Sequence, residues 1–286
     1  MRNHYVPREY LRGFSPPSSP RGIWQFDKKT RSFAAKPAAI ARVAYQNDFY
    51  SDETERLLER LVERPGNRIL RKLRLGDLEL SKEDRADLSA YIATMMCRVP
   101  RYRDKGKELA AESLPRVASD LRNKIRDFEE SGLLTGPDAE RLIEETDAVE
   151  MKLSCQTPEN VQEQICSPWP RPHWVSLVYS MHWRYVKATS GQYFVTTDNP
   201  VFHFRCYGFA RERAELTFPV STDLAIFGSW QPIRGNNVVE RRTQFVKEAN
   251  RRLISDATRF VYFRSKAQWI TKVADKDSPY LSRIGW

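Results

Sequence analysis

No stretch of this 286-residue chain approaches the ~18 consecutive apolar residues that a membrane span needs. The opening, Met1-Arg2-Asn3-His4-Tyr5-Val6-Pro7, lacks the apolar core of a secretory signal. Cysteine is scarce as well. Cys97, Cys155, Cys166 and Cys206 form no C-x-x-C pair and no Cys/His cluster of zinc-site spacing. Together these absences predict a cytoplasmic protein with reduced thiols and no membrane partner. G-x-G-x-x-G, G-x-x-x-x-G-K and G-x-S-x-G are all missing, which disfavours Walker- or Rossmann-type nucleotide chemistry and the α/β-hydrolases. Neither an internal repeat nor a long low-complexity tract is present.

Acidic residues are in deficit: 37 Asp and Glu against 47 Lys and Arg leave a formal net charge of +10. A positive field concentrates polyanions at the surface and speeds their encounter, so nucleic acid is the leading partner class. Hydrophobic residues, at 41% with 12% aromatic, are plentiful enough for a packed core without disulfides.

After a breaker run at Ser15-Pro16-Pro17-Ser18-Ser19-Pro20, alternation through Ile23-Trp24-Gln25-Phe26-Asp27 and Ser32-Phe33 predicts a β-hairpin. Leu57, Leu58, Leu61 and Val62, continued by Ile69, Leu70 and Leu73, predict two helices or one broken at Pro65. Ser81-Lys82-Glu83-Asp84 resembles a capping box ahead of an apolar stripe, Leu88, Tyr91, Ile92, Met95 and Val99, which ends at Pro100. Residues 104–153 are charge-rich and carry Leu114, Val117, Leu121, Ile125 and Phe128 at near-heptad spacing, the pattern of a projecting helical hairpin. Thr157-Pro158-Glu159 marks another helix start. Short β-rich runs then lie between 183 and 227 and at 260–263, with a helix at 243–257. The order predicts one α+β domain over 1–286, with the 104–153 hairpin inserted in it and a mixed or antiparallel sheet formed by the C-terminal third plus the N-terminal hairpin.

The string His4-Tyr5-Val6-Pro7-Arg8-Glu9-Tyr10-Leu11-Arg12-Gly13-Phe14 resembles the opening of the bacterial domain-of-unknown-function 4238 family, H-Y-V-P then Y-L then F. Asn47-Asp48-Phe49-Tyr50 is similar to that family's Asn-x-Phe-Tyr, and Arg98-Val99-Pro100 to its Arg-Thr-Pro with Val99 replacing Thr. Thr196-Thr197-Asp198-Asn199-Pro200 resembles its Thr-Ser-Asp-Asn-Pro, while Glu63 and Asn250 stand where the family pattern has a helical Glu and Asn. The resemblance implies a recurring polar constellation over nearly the whole chain and carries no settled activity, substrate or cofactor with it.

Each member of that constellation has a structural and a chemical reading. His4 can be a general base, a metal ligand or an anchor of the N-terminus. Glu63 can pair with a nearby Arg on a solvated face or bind metal at the edge of a cleft. Arg98, at the end of its helix, can clamp a phosphate or cap the last carbonyls. Asp198-Asn199-Pro200 can be a plain turn or a side chain aimed into a site. Asn250 interrupts the stripe Val246, Ala249, Leu253 and Ala257, so its amide must either pin a loop or face a polar pocket.

Three functions follow as expectations. In a metal-assisted phosphodiesterase acting on DNA or RNA, Glu63 and Asp198 hold Mg²⁺ or Mn²⁺, His4 acts as base, and Tyr5, Arg98, Asn199 and Asn250 contact substrate. In a binding module for nucleic acid or a phosphorylated ligand, Arg98, neighbouring Lys and Arg, and aromatics such as Trp230 or Trp269 suffice without clustered carboxylates. In a scaffold acting through the hairpin, every polar side chain is satisfied internally.

Overall fold

A computed structural model describes residues 2–155, 169, 172–189, 191–204, 208–232, 236–241 and 243–275. It divides into two compact units, Pro100–Ser167 and the remainder. The helix start expected at Thr157 lies outside the described residues.

The larger unit opens with β1 (Arg2–His4) and a single helical turn, α1 (Arg8–Leu11). The apolar members of the opening motif are core: Tyr5 and Val6 are buried, and Tyr10, Leu11 and Phe14 are inaccessible. Arg74 explains the glycine of that motif. Its guanidinium donates to the Glu9, Tyr10 and Val220 carbonyls, and a Cβ on Gly13 would lie 2.6 Å from Arg74 Nη2.

β2 (Gly22–Asp27) and β3 (Ser32–Phe33) form the expected hairpin, with Phe26 opposite Phe33, and β4 (Ala38–Ala39) pairs with the start of β2. β5 (Tyr45–Asn47) runs antiparallel to β1, His4 opposite Tyr45. Next comes α2 (Asp52–Leu58), capped by Ser51, whose hydroxyl accepts from Thr54 N at 3.2 Å. Here the sequence expectation is corrected, because Pro65 breaks nothing. Glu59–Glu63 form one turn of π-helix, in which Arg64 N–H reaches the Glu59 carbonyl five residues back, and α3 (Arg64–Arg74) continues through Pro65. The wider turn stands directly before the residue that lacks an N–H and whose ring would clash in a regular helix. It also slips the helical phase, so Leu61 is 55% exposed although Leu58 and Val62 are buried.

α4 (Lys82–Cys97) begins as read from the sequence, with the Ser81 hydroxyl accepting from Asp84 N at 3.0 Å. Its last ten residues hold Leu88 and the run Tyr91–Cys97, buried all round. Gly66 lets α3 approach it closely, since a Cβ there would fall 2.1 Å from the Tyr91 ring.

The second unit contains α5 (Pro100–Glu130) and α6 (Gly136–Cys155), so the hairpin begins at Pro100 rather than 104. Gly132, with φ +73°, closes α5, and the Thr135 hydroxyl caps α6. Ala118 and Ile125 are buried, while Val117, Leu121, Phe128 and Val149 are exposed. No described helix is long and apolar enough to cross a membrane.

The first unit resumes with α7 (Pro172–Ser180) and then β6 (His182–Ala188), β7 (Thr196–Thr197), β8 (Phe202–His203), β9 (Glu215–Pro219), β10 (Leu224–Ser229) and β11 (Val238–Arg241). α8 (Thr243–Asp256), β12 (Phe260–Phe263) and α9 (Trp269–Ala274) follow. One mixed sheet has the order β11-β6-β10-β9-β8, with β11 parallel to β6 and the other neighbours antiparallel. The second, β3-β2-β12-β7 with β4 alongside β2, joins the N-terminal hairpin to the C-terminal third. The fold is therefore α+β, as the element order predicts.

Alternation along β6 puts Trp183 and Tyr185 into the core shared with α3, α4 and α7, and Val186 into a core on the opposite face with Val246 and Ala249 of α8. Further along α8, Ile254, with Ala257 just beyond its end, packs with Phe26, Val261 and Phe263 of the second sheet. One helix thus spans both sheets, and this places Asn250 midway between them.

Candidate functional site

Arg98, just past the end of α4, is 1% exposed. Its Nη1 donates to Glu63 Oε1 at 2.7 Å, and its Nη2 donates to the Tyr50 hydroxyl at 2.7 Å and to the His4 carbonyl. Burial works against the guanidinium charge, but Glu63 and Tyr50 more than offset it and hold the Arg98 pKa above its usual value. Arg98 therefore ties the π-turn, the end of β5's loop and β1 together. Only its Nε, also buried, has no partner.

His4 belongs to the same cluster. Its pKa is lowered by burial first and by Arg8 second, against a hydrogen bond to the Ala41 backbone and the Glu63 charge, so the imidazole is neutral at neutral pH. Its Nε2 is buried without a hydrogen-bond partner. Two members escaped the sequence reading of candidate sites. Tyr50 stood in a quoted motif, where only its hydroxyl could have flagged it. Asn3 is wholly buried, accepts from Phe49 N at 2.9 Å and donates to Glu55 at 3.4 Å.

Asp198 lies in a different cluster. Its Oδ1 accepts from Thr258 N at 2.9 Å, and its Oδ2 accepts from Arg259 N at 2.7 Å and Phe260 N at 2.9 Å. Burial raises the carboxyl pKa, while these three backbone donors and Lys28 oppose the rise. The Tyr5 phenol is buried near Asp198, and both the burial and that negative charge push its pKa up. Asn199 donates from Nδ2 to the Asp256 carboxylate and, at 3.3 Å, to the Asp256 carbonyl. Asp198 and Asn199 together fasten the turn between α8 and β12.

By their hydrogen bonds, His4, Glu63 and Arg98 form one set, Asp198 and Asn199 hold the stretch 256–260 with the Tyr5 phenol near Asp198, and Asn250 holds the backbone of Tyr193 and Val195. Among the described residues no group of three or more His, Cys, Asp or Glu side chains could hold a metal ion. Of the two carboxylates expected to hold Mg²⁺ or Mn²⁺, Glu63 is paired with Arg98, and both oxygens of Asp198 accept backbone N–H groups.

Asn250 holds one loop with both ends of its amide, Oδ1 accepting from Val195 N at 3.0 Å and Nδ2 donating to the Tyr193 carbonyl at 2.9 Å. Beside it opens a pocket of about 340 Å³, walled by Tyr193, Lys247, Asn250, Arg251, Trp269 and Lys272, and no Asp or Glu lines it. Lys247 and Arg251 lie one turn apart on α8, and Lys272 comes from α9. Arg251 Nη1 is 3.3 Å from Glu248, whereas its Nε is buried without a partner. Lys247 and Lys272 form no ion pair among the described residues. Of the two tryptophans considered for stacking, Trp230 packs against the main core and donates its Nε1 to the Phe209 carbonyl at 3.1 Å, while Trp269 lines the pocket. The i, i+4 pair Lys247/Arg251 flanking Asn250 was the available sequence signal, but it is indistinguishable from a solvated face until α9 is brought alongside.

A family model described as "Protein of unknown function (DUF4238)" matches residues 2–267, which takes in every residue of both polar clusters and the α8 side of the pocket. Trp269 and Lys272 lie beyond the matched stretch. No curated protein and no solved structure matches the chain.

Proposed function

We propose that this chain, which belongs to the DUF4238 family of proteins of unknown function, binds nucleic acid or a phosphorylated ligand through the Asn250 pocket without cleaving it. The observation that carries the reading is the convergence of Lys247, Arg251 and Lys272 with Trp269 on one pocket free of acidic residues. Cations of this kind hold phosphate oxygens, and an indole face stacks on a base whatever its sequence. The net charge of +10 adds a long-range field that favours the same partners.

Phosphodiester cleavage is the second reading, and His4 favours it: a neutral imidazole with an unpartnered Nε2 beside a carboxylate is the form a general base takes. Binding is preferred because the carboxylates that would hold a metal are engaged elsewhere in the fold. Labelled single- and double-stranded DNA and RNA, incubated with the protein in Mg²⁺, Mn²⁺ or EDTA, separate the two. Retention of intact strands in every condition is the expected result, and metal-dependent cleavage abolished by His4→Ala and Glu63→Ala would transfer the assignment to a nuclease.

A further inference from the structure

We infer that the occupant of the Asn250 pocket is a single nucleotide carrying a terminal phosphate, an inference that rests on the binding function proposed above.

Charge comes first. A phosphate monoester bears close to two negative charges at neutral pH, whereas each diester of a strand bears one. A polymer is held by cations strung along a groove, and a terminal phosphate by cations gathered around one point. Lys247 and Arg251 are four residues apart on one face of α8, and Lys272 joins them from α9 at the same pocket. All three cations thus line one pocket, with Lys247 and Lys272 exposed and Arg251 sharing its charge with Glu248 at 3.3 Å. Two point charges and a planar donor fork suit a dianionic phosphate.

The aromatic wall has room for one base on one side. Tyr193 and Trp269 lie 6.0 Å apart between centroids and are tilted by 57°, so they touch each other and leave no slot between them. Arg264 stands over the Tyr193 ring at 5.0 Å, and the Tyr193 hydroxyl donates to the Ser265 carbonyl at 2.9 Å. That leaves Trp269 as the stacking platform. The Asn250 amide, only 3% exposed and bonded to the Tyr193–Val195 backbone, gives the wall its shape and is shielded from a base edge. Selectivity among bases should accordingly be slight, favouring purines for their larger stacking face. A volume of about 340 Å³ sits at the small end of ligand pockets, the size for one nucleotide and not for a folded dinucleotide.

Both a free mononucleotide and the phosphorylated end of a strand offer this chemistry, and calorimetric titration of the full chain distinguishes them. The probes are 5′-AMP, adenosine, inorganic phosphate, and one oligonucleotide with and without a 5′-phosphate. AMP is expected to bind at least about tenfold more tightly than either adenosine or phosphate, and Lys247→Gln, Lys272→Gln and Trp269→Leu should each weaken it by about tenfold. If the strand binds only when 5′-phosphorylated and AMP displaces it, the pocket takes strand ends as well. If the strand binds with or without its phosphate and AMP neither binds nor competes, the nucleotide inference fails while nucleic-acid binding stands. AMP binding unchanged in all three variants, or phosphate binding as tightly as AMP, overturns the inference as well. If neither AMP, phosphate nor strand binds, both readings fall. Circular dichroism of each variant confirms that a lost signal is not an unfolded chain.

Discussion

Arg98 Nη1 donates to Glu63 Oε1 across 2.7 Å, joining residues 35 positions apart at the junction of α4 with the π-turn. The guanidinium is 1% exposed and the carboxylate 17%. Removing one partner from such a pair leaves an uncompensated buried charge, at a cost of about 3–5 kcal/mol when both are fully buried. Glu63 keeps some solvent contact, so Glu63→Ala should destabilise the fold by about 2–4 kcal/mol. Urea denaturation measures this directly. Replacing the pair together, Glu63→Leu with Arg98→Met, should cost less than the sum of the two single replacements, because neither charge is then left buried without its partner.

Acidification should weaken the fold through His4. Burial lowers its pKa in the folded state, so the native protein binds this proton less readily than the unfolded chain, whose imidazole titrates near the usual ~6.5. By linkage the stabilisation is fully present above that value and is lost as the pH falls through it towards the lowered folded-state pKa. Melting temperature plotted against pH should fall over this window in the wild type and fall less steeply in His4→Gln.

Gly66→Ala tests the α3/α4 contact by the sign of its effect. On helix propensity alone alanine stabilises a helix by about 1 kcal/mol over glycine. A Cβ 2.1 Å from the Tyr91 ring instead forces the two helices apart, so a net destabilisation of about 1–3 kcal/mol is expected. An unchanged or raised denaturation midpoint would mean that the helices do not meet at this residue.

Asn250→Ala removes an acceptor from Val195 N and a donor from the Tyr193 carbonyl. Two backbone groups left wanting should cost about 2–4 kcal/mol. Faster hydrogen exchange at Val195 would locate the damage in that loop.

Which parts of the fold could be read in advance follows from the range of the interactions. Ser81 caps α4 and Leu88 to Val99 line its core because both signals are local. Asn250 also declared itself, since one amide inside an apolar stripe has to be satisfied by a neighbour. Leu61 misled, because the π-turn at Glu59–Glu63 breaks the 100° phase on which stripe arguments depend. β1 and β5, three residues each, are too short to show alternation. The buried Arg252–Glu215 pair, 2.6 Å between Nη2 and Oε2, joins β9 to α8 through a contact that neither segment signals. The pocket was hidden for the same reason: Tyr193, Lys247 and Lys272 come from three segments, and each reads singly as ordinary surface. Sequence names the carboxylates but not their backbone partners, which at Asp198 are three N–H groups.

The central claim is that Lys247 and Lys272 hold phosphate at the Asn250 pocket, and the most direct measurement is fluorescence anisotropy of a labelled 5′-phosphorylated single strand titrated with wild type and with Lys247→Glu/Lys272→Glu at several salt concentrations. The account predicts binding that weakens as salt rises and is lost in the double charge reversal while the fold is retained. Equal binding by both proteins at every salt concentration would contradict it.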